Sequence, residues 1–350
     1  MGRLKLKRGH KVKQRYIMAN LVYNSQATGP LYTNLWLENH LKSLLDKTNL
    51  PKLKEKYDLE YVVFTDDETL MQLSRHPNFM ALGAICEITV IKLNWPADTD
   101  RFSSRYGILA QVFQQLMNAI YDPNDKKRLN AWCSVWVADL VFAKHSLTKI
   151  LHRLEEGHDA VFMVPIRSAA DSVNQLLTAI PGAPSDMELF ELAYNNLHHL
   201  WTHSLWDNPL FSRMPYSMLW DSGTGLVAHN FSVTPIVFKP NEAMRNIQGG
   251  IDTDGPTFCK NPYWATDWLD APVAGVEPLS NGHYPPFLHN KANIPWIMEW
   301  SKKATHPAQK SYLDKPLFYP SKAIFNDKML ASKAADIAMD LQQQLNKGSL

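Results

Sequence analysis

Apolar runs alternate with amphipathic helical patterns along the first half of the chain. The runs with the length of buried strands cover residues 16–23, 61–65, 87–93 and 160–164. Between them apolar residues recur at helical spacing, most regularly over 102–121. Because strands that alternate with helices form parallel sheets, residues 16–165 predict a three-layer, Rossmann-like α/β domain. Its mostly parallel sheet would carry helices on both faces.

The run Ala131–Ala138 is the centre of this pattern because it stops at a single acid, Asp139. A helical pattern follows, and the next apolar run begins at Ala160. Strand, acid, helix and strand in this order predict a βαβ unit. Ligands of parallel sheets bind at the carboxyl ends of the strands, where Asp139 would lie. The alternative is that Asp139 only caps the helix or turn after it.

The pattern changes after residue 165. A helical pattern covers about 186–203, and strand-like runs follow at 225–230 and 233–238. Residues 249–300 are rich in Gly, Pro, Asn and Trp, which predicts ordered loops. We therefore expect four parts: a basic disordered leader at 1–15, an α/β half at 16–165, a half with long loops at 166–326, and an amphipathic C-terminal helix at 327–350.

Composition narrows the class of protein. An apolar share of 45% and a charged share of 20% are ordinary for a globular chain of 350 residues. Three widely spaced cysteines favour a reducing compartment, and we expect a cytoplasmic protein. No run reaches the ~18 apolar residues that a membrane span needs. The N-terminus lacks the apolar segment of a secretory signal.

Charge is unevenly distributed along the chain. Residues 1–15 hold seven basic residues and no acid, whereas the remaining chain has 29 basic and 34 acidic residues. A basic arm of this kind can contact nucleic acid or an anionic membrane surface. We favour a disordered leader, because a nucleic-acid surface would normally extend into the fold.

Acidic residues follow predicted strands at three places: Asp66 with Asp67, Asp139, and Asp252 with Asp254. Carboxylates at strand ends can hold Mg²⁺ or Mn²⁺, accept hydrogen bonds from ribose or base groups, or act as a general base. The alternative for Asp66 and Asp67 is the cap and first turn of the next helix, where acids suit the helix dipole. For Asp252 and Asp254 the alternative is a polar loop.

His199 and His203 lie one helical turn apart, which is a spacing that zinc ligands use. The metalloprotease pattern needs Glu directly after the first histidine, and Leu200 stands there. Packing and hydrogen bonding therefore remain the preferred interpretation. The chain has no Gly-x-Gly-x-x-Gly, P-loop or Gly-x-Ser-x-Gly motif.

Several of these segments together carry a family pattern. The second strand ends in Thr65-Asp66-Asp67 and the fourth ends in Asp139; the other matching segments are Leu44–Pro51, Asp139–Leu147, Gly157–Val161, Leu197-His198, Gly225–Pro235 and Ile251–Asp254. In this order they resemble GT-A-type glycosyltransferases, in particular bacterial glycosyltransferases of polysaccharide loci. The match covers most of residues 16–255. The chain departs from the pattern after Asp139, where Leu140 and Val141 stand in place of Asp-x-Asp.

The resemblance implies a metal-binding transferase of polysaccharide biosynthesis. It would move a sugar from a nucleotide-sugar donor to a glycan or another hydroxyl acceptor. Residues 16–165 would bind the donor, with the nucleotide pocket lined by Asn24, Thr65, Asp66 and Asp67. Residues 166–326 would bind the acceptor and complete the catalytic site.

The resemblance also assigns roles around the diphosphate. Asp139 would meet Mg²⁺ or Mn²⁺ or the sugar phosphate, and His229 would complete the diphosphate site as a second metal ligand. A sharp turn at Gly249-Gly250 could separately fold the next loop back over the strand ends, where Asp252 and Asp254 would be acceptor-side groups, one of them the general base. Two alternatives stay open: a nucleotidyltransferase on a similar sheet, and a non-catalytic protein that uses its basic arm on nucleic acid or a membrane surface.

Overall fold

A seven-stranded sheet organises the computed structural model, which describes residues 13–25, 29–93, 105–124, 128–247, 254–279, 288–289, 291–321 and 327–347. In chain order the strands are β1 Gln14–Leu21, β2 Tyr57–Thr65, β3 Glu87–Lys92, β4 Trp132–Trp136, β5 Leu140–Phe142, β6 Ala160–Met163, β7 Ile166–Ala169, β8 Phe211–Ser212, β9 Ser217–Asp221, β10 Leu226–Asn230, β11 Thr234–Phe238, β12 Pro262–Trp264, β13 Val273–Glu277, β14 Leu288–His289 and β15 Leu317–Tyr319.

The helices lie between these strands and at the C-terminal end of the described chain. They are α1 Leu31–Leu35, α2 Leu41–Leu44, α3 Leu50–Lys54, α4 Asp67–Ser74, α5 Pro77–Ile85, α6 Arg105–Ile120, α7 Ser146–Glu155, α8 Ala170–Ala179, α9 Asp186–Tyr194, α10 His199–Thr202, α11 Ile294–Ala304, α12 Pro307–Lys310 and α13 Lys328–Lys347. A π-helical turn, Trp36–His40, joins α1 to α2, and 3₁₀ turns occur at Glu242–Asn246, Gly255–Phe258 and Trp268–Asp270.

The large sheet has the strand order β12-β6-β11-β4-β1-β2-β3. Every neighbouring pair is parallel except the two that β11 makes with β4 and β6. In β1 the successive residues Tyr16 to Ala19 are all fully buried. Because successive side chains point to opposite faces, both faces of this strand are covered. The predicted α/β fold with a mostly parallel sheet is confirmed.

The predicted βαβ unit around Asp139 is more complex than its sequence pattern. After β4 the chain passes Asp139 and enters β5, which pairs with β13 in a separate sheet of order β5-β13-β7. Helix α7 starts only at Ser146, because His145 has a left-handed φ of 63°. Strand β11 lies between β4 and β6. The positions of β5 and β11 depend on pairing between segments that are distant in the chain. The local pattern of apolar residues does not predict such pairing.

Two other expectations need correction. The helical pattern at 186–203 divides into α9 and α10, because His198 caps the second helix and its Nδ1 accepts from the backbone N–H of Leu200 at 3.3 Å. Residues 249–300, predicted as loops, contain β12 and β13. Strand β13 is the centre of the second sheet, so this part of the chain is structural as well as connecting.

The N-terminal boundary also differs from the prediction. Strand β1 begins at Gln14, within the segment predicted as a leader; residues 1–12 lie outside the described residues. The Arg15 guanidinium makes ion pairs with Asp58 at 2.5 Å, Glu60 at 2.9 Å and Glu87 at 2.8 Å. Arg15 therefore joins β1 to β2 and β3 and belongs to the fold.

The predicted C-terminal helix is α13, and it covers a second apolar cluster. Its buried residues are Ala334, Ala338, Leu341 and Leu345. The cluster includes Trp220 and Val227 from a three-stranded sheet of order β15-β10-β9. No helix in the described part of the chain is long and apolar enough to cross a membrane.

Candidate functional site

The carboxyl ends of β1, β2 and β4 lie side by side, because β1 is parallel to both of its neighbours. This edge carries three predicted positions: the loop at Asn24, the Asp66 turn and the loop that ends at Asp139. The sheet thus brings the predicted nucleotide side and Asp139 to one edge, as parallel topology requires.

Asn24 and Asp66 are tied together through Thr69. The Asp66 carboxylate caps α4, and its Oδ1 accepts from the Thr69 backbone N–H at 2.8 Å. The Thr69 hydroxyl oxygen accepts from the backbone N–H of Asn24 at 3.1 Å. Asn24 Oδ1 in turn accepts from the Thr33 hydroxyl at 2.7 Å. The capping alternative for Asp66 is therefore realised, and the same bonds fix the loop after β1 against the turn after β2.

Thr65 and Asp67 differ in their surroundings. Thr65 is fully buried, and its hydroxyl has no hydrogen-bond partner among the described residues. Asp67 is exposed and forms an ion pair with Lys92 at 2.5 Å. A nucleotide-binding role for Asn24, Thr65, Asp66 and Asp67 stays a prediction.

A buried polar chain holds the segment 136–140 from both sides. Asn20 Nδ2 donates to the carbonyl oxygens of Trp136 at 2.8 Å and Val137 at 3.3 Å. The Tyr61 hydroxyl donates to Asn20 Oδ1, and His40 Nε2 lies 3.1 Å from that hydroxyl. His40 Nδ1 contacts the carbonyl oxygen of Leu140 at 2.8 Å. These bonds fix the backbone on each side of Asp139, and no charged residue takes part.

Burial keeps this chain neutral. Asn20, His40 and Tyr61 are all fully buried. Removal from water lowers the pKa of His40 to about 3, against a smaller opposing effect of the Leu140 carbonyl. Burial also raises the pKa of Tyr61 well above its ordinary value. The imidazole is therefore uncharged at neutral pH; its one N–H, on Nδ1, donates to the Leu140 carbonyl, and Nε2 faces the Tyr61 hydroxyl as an acceptor.

Asp139 is a buried carboxylate with unused hydrogen-bonding capacity. The residue is 8% exposed, and its Oδ1 has no hydrogen-bond partner among the described residues. Burial, with a smaller contribution from the negative charge of Glu277 and against the opposing charge of Arg167, raises the pKa of Asp139 to about 7. A buried carboxylate that titrates near neutrality, with a free oxygen, can accept a proton from a ligand.

Arg167 and Glu277 are the charged neighbours of Asp139, and sequence reasoning missed both. They lie on the parallel strands β7 and β13, where Arg167 stands opposite Gly275. The Arg167 guanidinium pairs with the Glu277 carboxylate at 2.8 Å. A usable signal exists for Glu277, because the run Val273–Glu277 ends in an acid as the run before Asp139 does.

His198 and His199 continue from this pair towards an open cleft. Their rings lie 4.1 Å apart, and His199 is 6.2 Å from His203. Burial lowers the pKa of all three histidines, and Glu277 partly opposes this for His198 and His199. The cleft measures about 510 Å³ and is lined by Ala169, Ser172, Tyr194, Asn195, Asn196, Leu197, His199, Thr202, His203 and Leu279.

The structure places His229 in a different environment from Asp139. His229 lies on β10, and its Nδ1 contacts the carbonyl oxygen of Leu313 at 2.8 Å. Ala228 packs in the main core, so the next side chain points to the opposite face, where Trp220 meets the His229 ring at 5.7 Å. That face is the second apolar cluster. The metal role predicted for His229 stays a prediction.

Asp254 and Asp252 complete the set of predicted site residues. Asp254 precedes the 3₁₀ turn Gly255–Phe258, and the Thr257 hydroxyl donates to its backbone carbonyl. That turn packs against β11 and α12. Asp252 lies outside the described residues. The catalytic role of both acids stays a prediction.

The described residues do not by themselves fit a divalent-cation site. Mg²⁺ and Mn²⁺ require several oxygen ligands. At Asp139 the second carboxylate, Glu277, is already paired with the Arg167 guanidinium, whose positive charge opposes a cation. No group of three or more His, Cys, Asp or Glu side chains suited to a metal occurs in the described part of the chain.

Comparison with known proteins adds distant structural likenesses. No family model and no curated protein matches the chain. Among solved structures, the synthase of 4-diphosphocytidyl-2C-methyl-D-erythritol from Anaerococcus prevotii matches 45% of this chain and 56% of its own length, at 14% identity and a TM-score of 0.24.

Two further structures match to a similar extent. A protein described as a glucose-1-phosphate thymidylyltransferase from Bacillus anthracis matches 43% of this chain and 55% of its own, at 12% identity and a TM-score of 0.26. Mouse xyloside xylosyltransferase 1 matches 46% of this chain and 55% of its own, at 11% identity and a TM-score of 0.27. At these scores the likenesses establish neither a common family nor a common reaction.

Proposed function

We propose that this protein is a glycosyltransferase that moves a sugar from a nucleotide-sugar donor to a hydroxyl acceptor. The observation that carries the proposal is Asp139: a buried carboxylate with an unpartnered oxygen, beside the carboxyl edge of a mostly parallel sheet. Nucleotides bind at that edge in open α/β sheets. A carboxylate with a pKa of about 7 is suited to take a proton from a hydroxyl group.

In the proposed reaction the nucleotide binds at the ends of β1 and β2, beside Asn24 and Asp66. The acceptor oxygen attacks the anomeric carbon, and the bond from that carbon to the diphosphate oxygen breaks. Asp139 takes the hydroxyl proton, while the nucleoside diphosphate leaves with the electron pair of the broken bond. Arg167 supplies positive charge near Asp139 and so favours the ionised carboxylate that accepts the proton.

A donor panel tests this proposal. The pure protein would be incubated with UDP-, GDP-, ADP- and dTDP-activated sugars, with and without Mn²⁺, and the products separated by ion-exchange chromatography. We expect slow hydrolysis of one donor to nucleotide and free sugar, lost in Asp139→Asn. Release of pyrophosphate from a nucleoside triphosphate and a sugar phosphate would instead establish nucleotidyl transfer. Absence of turnover and of any donor-induced rise in Tm would overturn both readings.

A further inference from the structure

We propose that the cleft between α8, α9 and α10 binds the acceptor and that this acceptor is an uncharged carbohydrate. The inference rests on the proposed glycosyltransferase function, which it deepens by naming the acceptor class and its place. The wall of the cleft is formed by Tyr194 to Leu197, at the end of α9 and in the connection to α10, together with His199 of α10 and His203 directly after it. Leu279 and the end of β7 close the other side.

The lining is polar without formal charge. Among the residues that the structure describes, the lining contains no Lys, Arg, Asp or Glu, and its polar groups are hydroxyls, carboxamides and two imidazoles. Burial lowers the pKa of His199 and His203, so both rings are neutral at pH 7. Phosphate or carboxylate ligands would find no cation here to pair with. A sugar instead presents hydroxyl groups, which exchange hydrogen bonds with neutral amides and hydroxyls.

The cleft also offers flat ring surfaces. His199 and His203 lie 6.2 Å apart with ring planes at 59°, and Tyr194 adds a phenol ring whose hydroxyl donates to Asp221 at 2.6 Å. Ring faces pack on the C–H faces of a pyranose, while ring edges and amides serve its hydroxyls. A volume of about 510 Å³ is within the range of small-ligand sites and exceeds that of one hexose unit.

The cleft is linked to the proposed catalytic carboxylate by adjacent residues. Strands β7 and β13, which carry Arg167 and Glu277, continue into the cleft wall at Ala169 and Leu279. His198 hydrogen-bonds through its backbone N–H to the Arg167 carbonyl at 3.0 Å, and its ring lies 4.1 Å from His199. An acceptor held against His199 would therefore extend towards the Arg167–Glu277 pair and Asp139.

Saturation-transfer difference NMR of the full chain tests the site with defined probes. The probes are the methyl glycosides of glucose, galactose, mannose and N-acetylglucosamine, each at 5 mM, with glucose 6-phosphate as the charged comparison. We expect signals from at least one methyl glycoside and a weaker or absent signal from the sugar phosphate. Stronger binding of the phosphate, or no signal from any glycoside, would overturn the inference.

Two tryptophan variants on one helix locate the site. Ser172→Trp fills the cleft from α8, whereas Gln175→Trp places the same side chain on an exposed position of α8 outside the lining. We expect the glycoside signal to fall at least fivefold in the first variant and to persist in the second. Equal signals in both would contradict this location. Donor hydrolysis by the unmodified protein is measured separately: its failure overturns the proposed function, whereas hydrolysis without glycoside binding overturns only this inference.

Discussion

His40 Nδ1 lies 2.8 Å from the carbonyl oxygen of Leu140, although the two residues are 100 positions apart in the chain. This bond is one end of the buried chain that continues through Tyr61 and Asn20 to the carbonyl of Trp136. The backbone of Asp139 is therefore fixed on both sides by uncharged groups. Preorganisation of this kind holds a reacting carboxylate in place without adding a charge that would compete for its proton.

Replacement of His40 by Ala should lower the free energy of unfolding at pH 7.5 by about 2–4 kcal/mol, because it leaves a cavity and removes the donor to the buried Leu140 carbonyl. Urea denaturation measures the change. His152→Ala, at an exposed position of α7, is the control and should stay within about 0.5 kcal/mol of the parent. A similar loss in both variants would contradict a specific role of the buried chain.

The stability difference between the parent and His40→Ala should depend on pH. His40 has a pKa of about 3 in the folded protein and about 6.5 when unfolded, so its neutral burial favours folding above pH 6.5. That contribution is lost as the pH falls towards 3, because only the unfolded chain takes up the proton there. The stability gap between the parent and His40→Ala should therefore narrow from pH 7 to pH 5. A gap that is independent of pH would contradict the neutral, buried imidazole.

If Asp139 is the proposed base, activity should rise with pH through about 7, because the carboxylate must be ionised to accept a proton. Asp139→Asn should lose at least 100-fold in kcat, and its remaining activity should not rise with pH in this range.

The stability of the parent should fall over the same pH range in which its activity rises. Because the folded pKa of Asp139 exceeds the unfolded value, the contribution of this residue to stability is largest below about pH 4 and is lost as the pH rises to about 7. Asp139→Asn should therefore gain stability relative to the parent over that range, as measured by Tm at pH 4.5, 6 and 8.

Substitutions of Glu277 and Arg167 should shift the midpoint of the rise in activity with pH in opposite directions. Glu277→Gln removes the negative charge that raises the pKa of Asp139, so the midpoint should move below that of the parent. Arg167→Gln removes the positive charge that lowers this pKa, so the midpoint should move above it. Glu299→Gln, at an exposed pair with Lys303 on α11, is the matched control and should leave the midpoint in place. Shifts in the same direction would contradict the assignment of Asp139 as the titrating group.

Asp66 has a capping role that can be separated from nucleotide binding. Asp66→Ser keeps an oxygen at the cap position, whereas Asp66→Ala removes it and should cost about 1 kcal/mol of stability. If Asp66 also contacts the nucleotide, both variants should weaken donor binding in isothermal titration calorimetry. Parent-like affinity in Asp66→Ser would confine this residue to capping.

Arg15→Ala should be destabilising, because Glu60 is fully buried and depends on Arg15 and Arg128 for compensation. We expect a loss of about 2–3 kcal/mol, reduced by the pairs that remain with Arg128. Lys52→Ala breaks the exposed pair with Glu55 and should cost less than about 0.5 kcal/mol. Chemical denaturation measures the free energy of unfolding of both variants. Equal small losses would mean that Arg15 does not contribute to the fold, as the predicted leader implied.

The order of the five large-sheet strands in residues 16–165 could be predicted from the sequence, because the burial of a strand is visible in its own apolar residues; β5 and the short helices α3 and α5 were missed. The helix α13, strand β1 and strand β10 have bounds within a few residues of their apolar patterns. Asp66 and Asp139 could be selected as strand-end acids for the same reason. These features depend on the side chains of one segment and on simple geometry.

The charged neighbours of Asp139 are determined by the tertiary structure alone. Its neighbours Arg167 and Glu277 come from strands that pair across more than 100 residues, and β11 enters the large sheet between β4 and β6 from a distant part of the chain. Such pairings are selected by the complementarity of whole surfaces, so no local period encodes them. The sequence by itself determined which segments are buried and where acids end them. The charge around Asp139, its raised pKa and the uncharged cleft arise only when those segments meet.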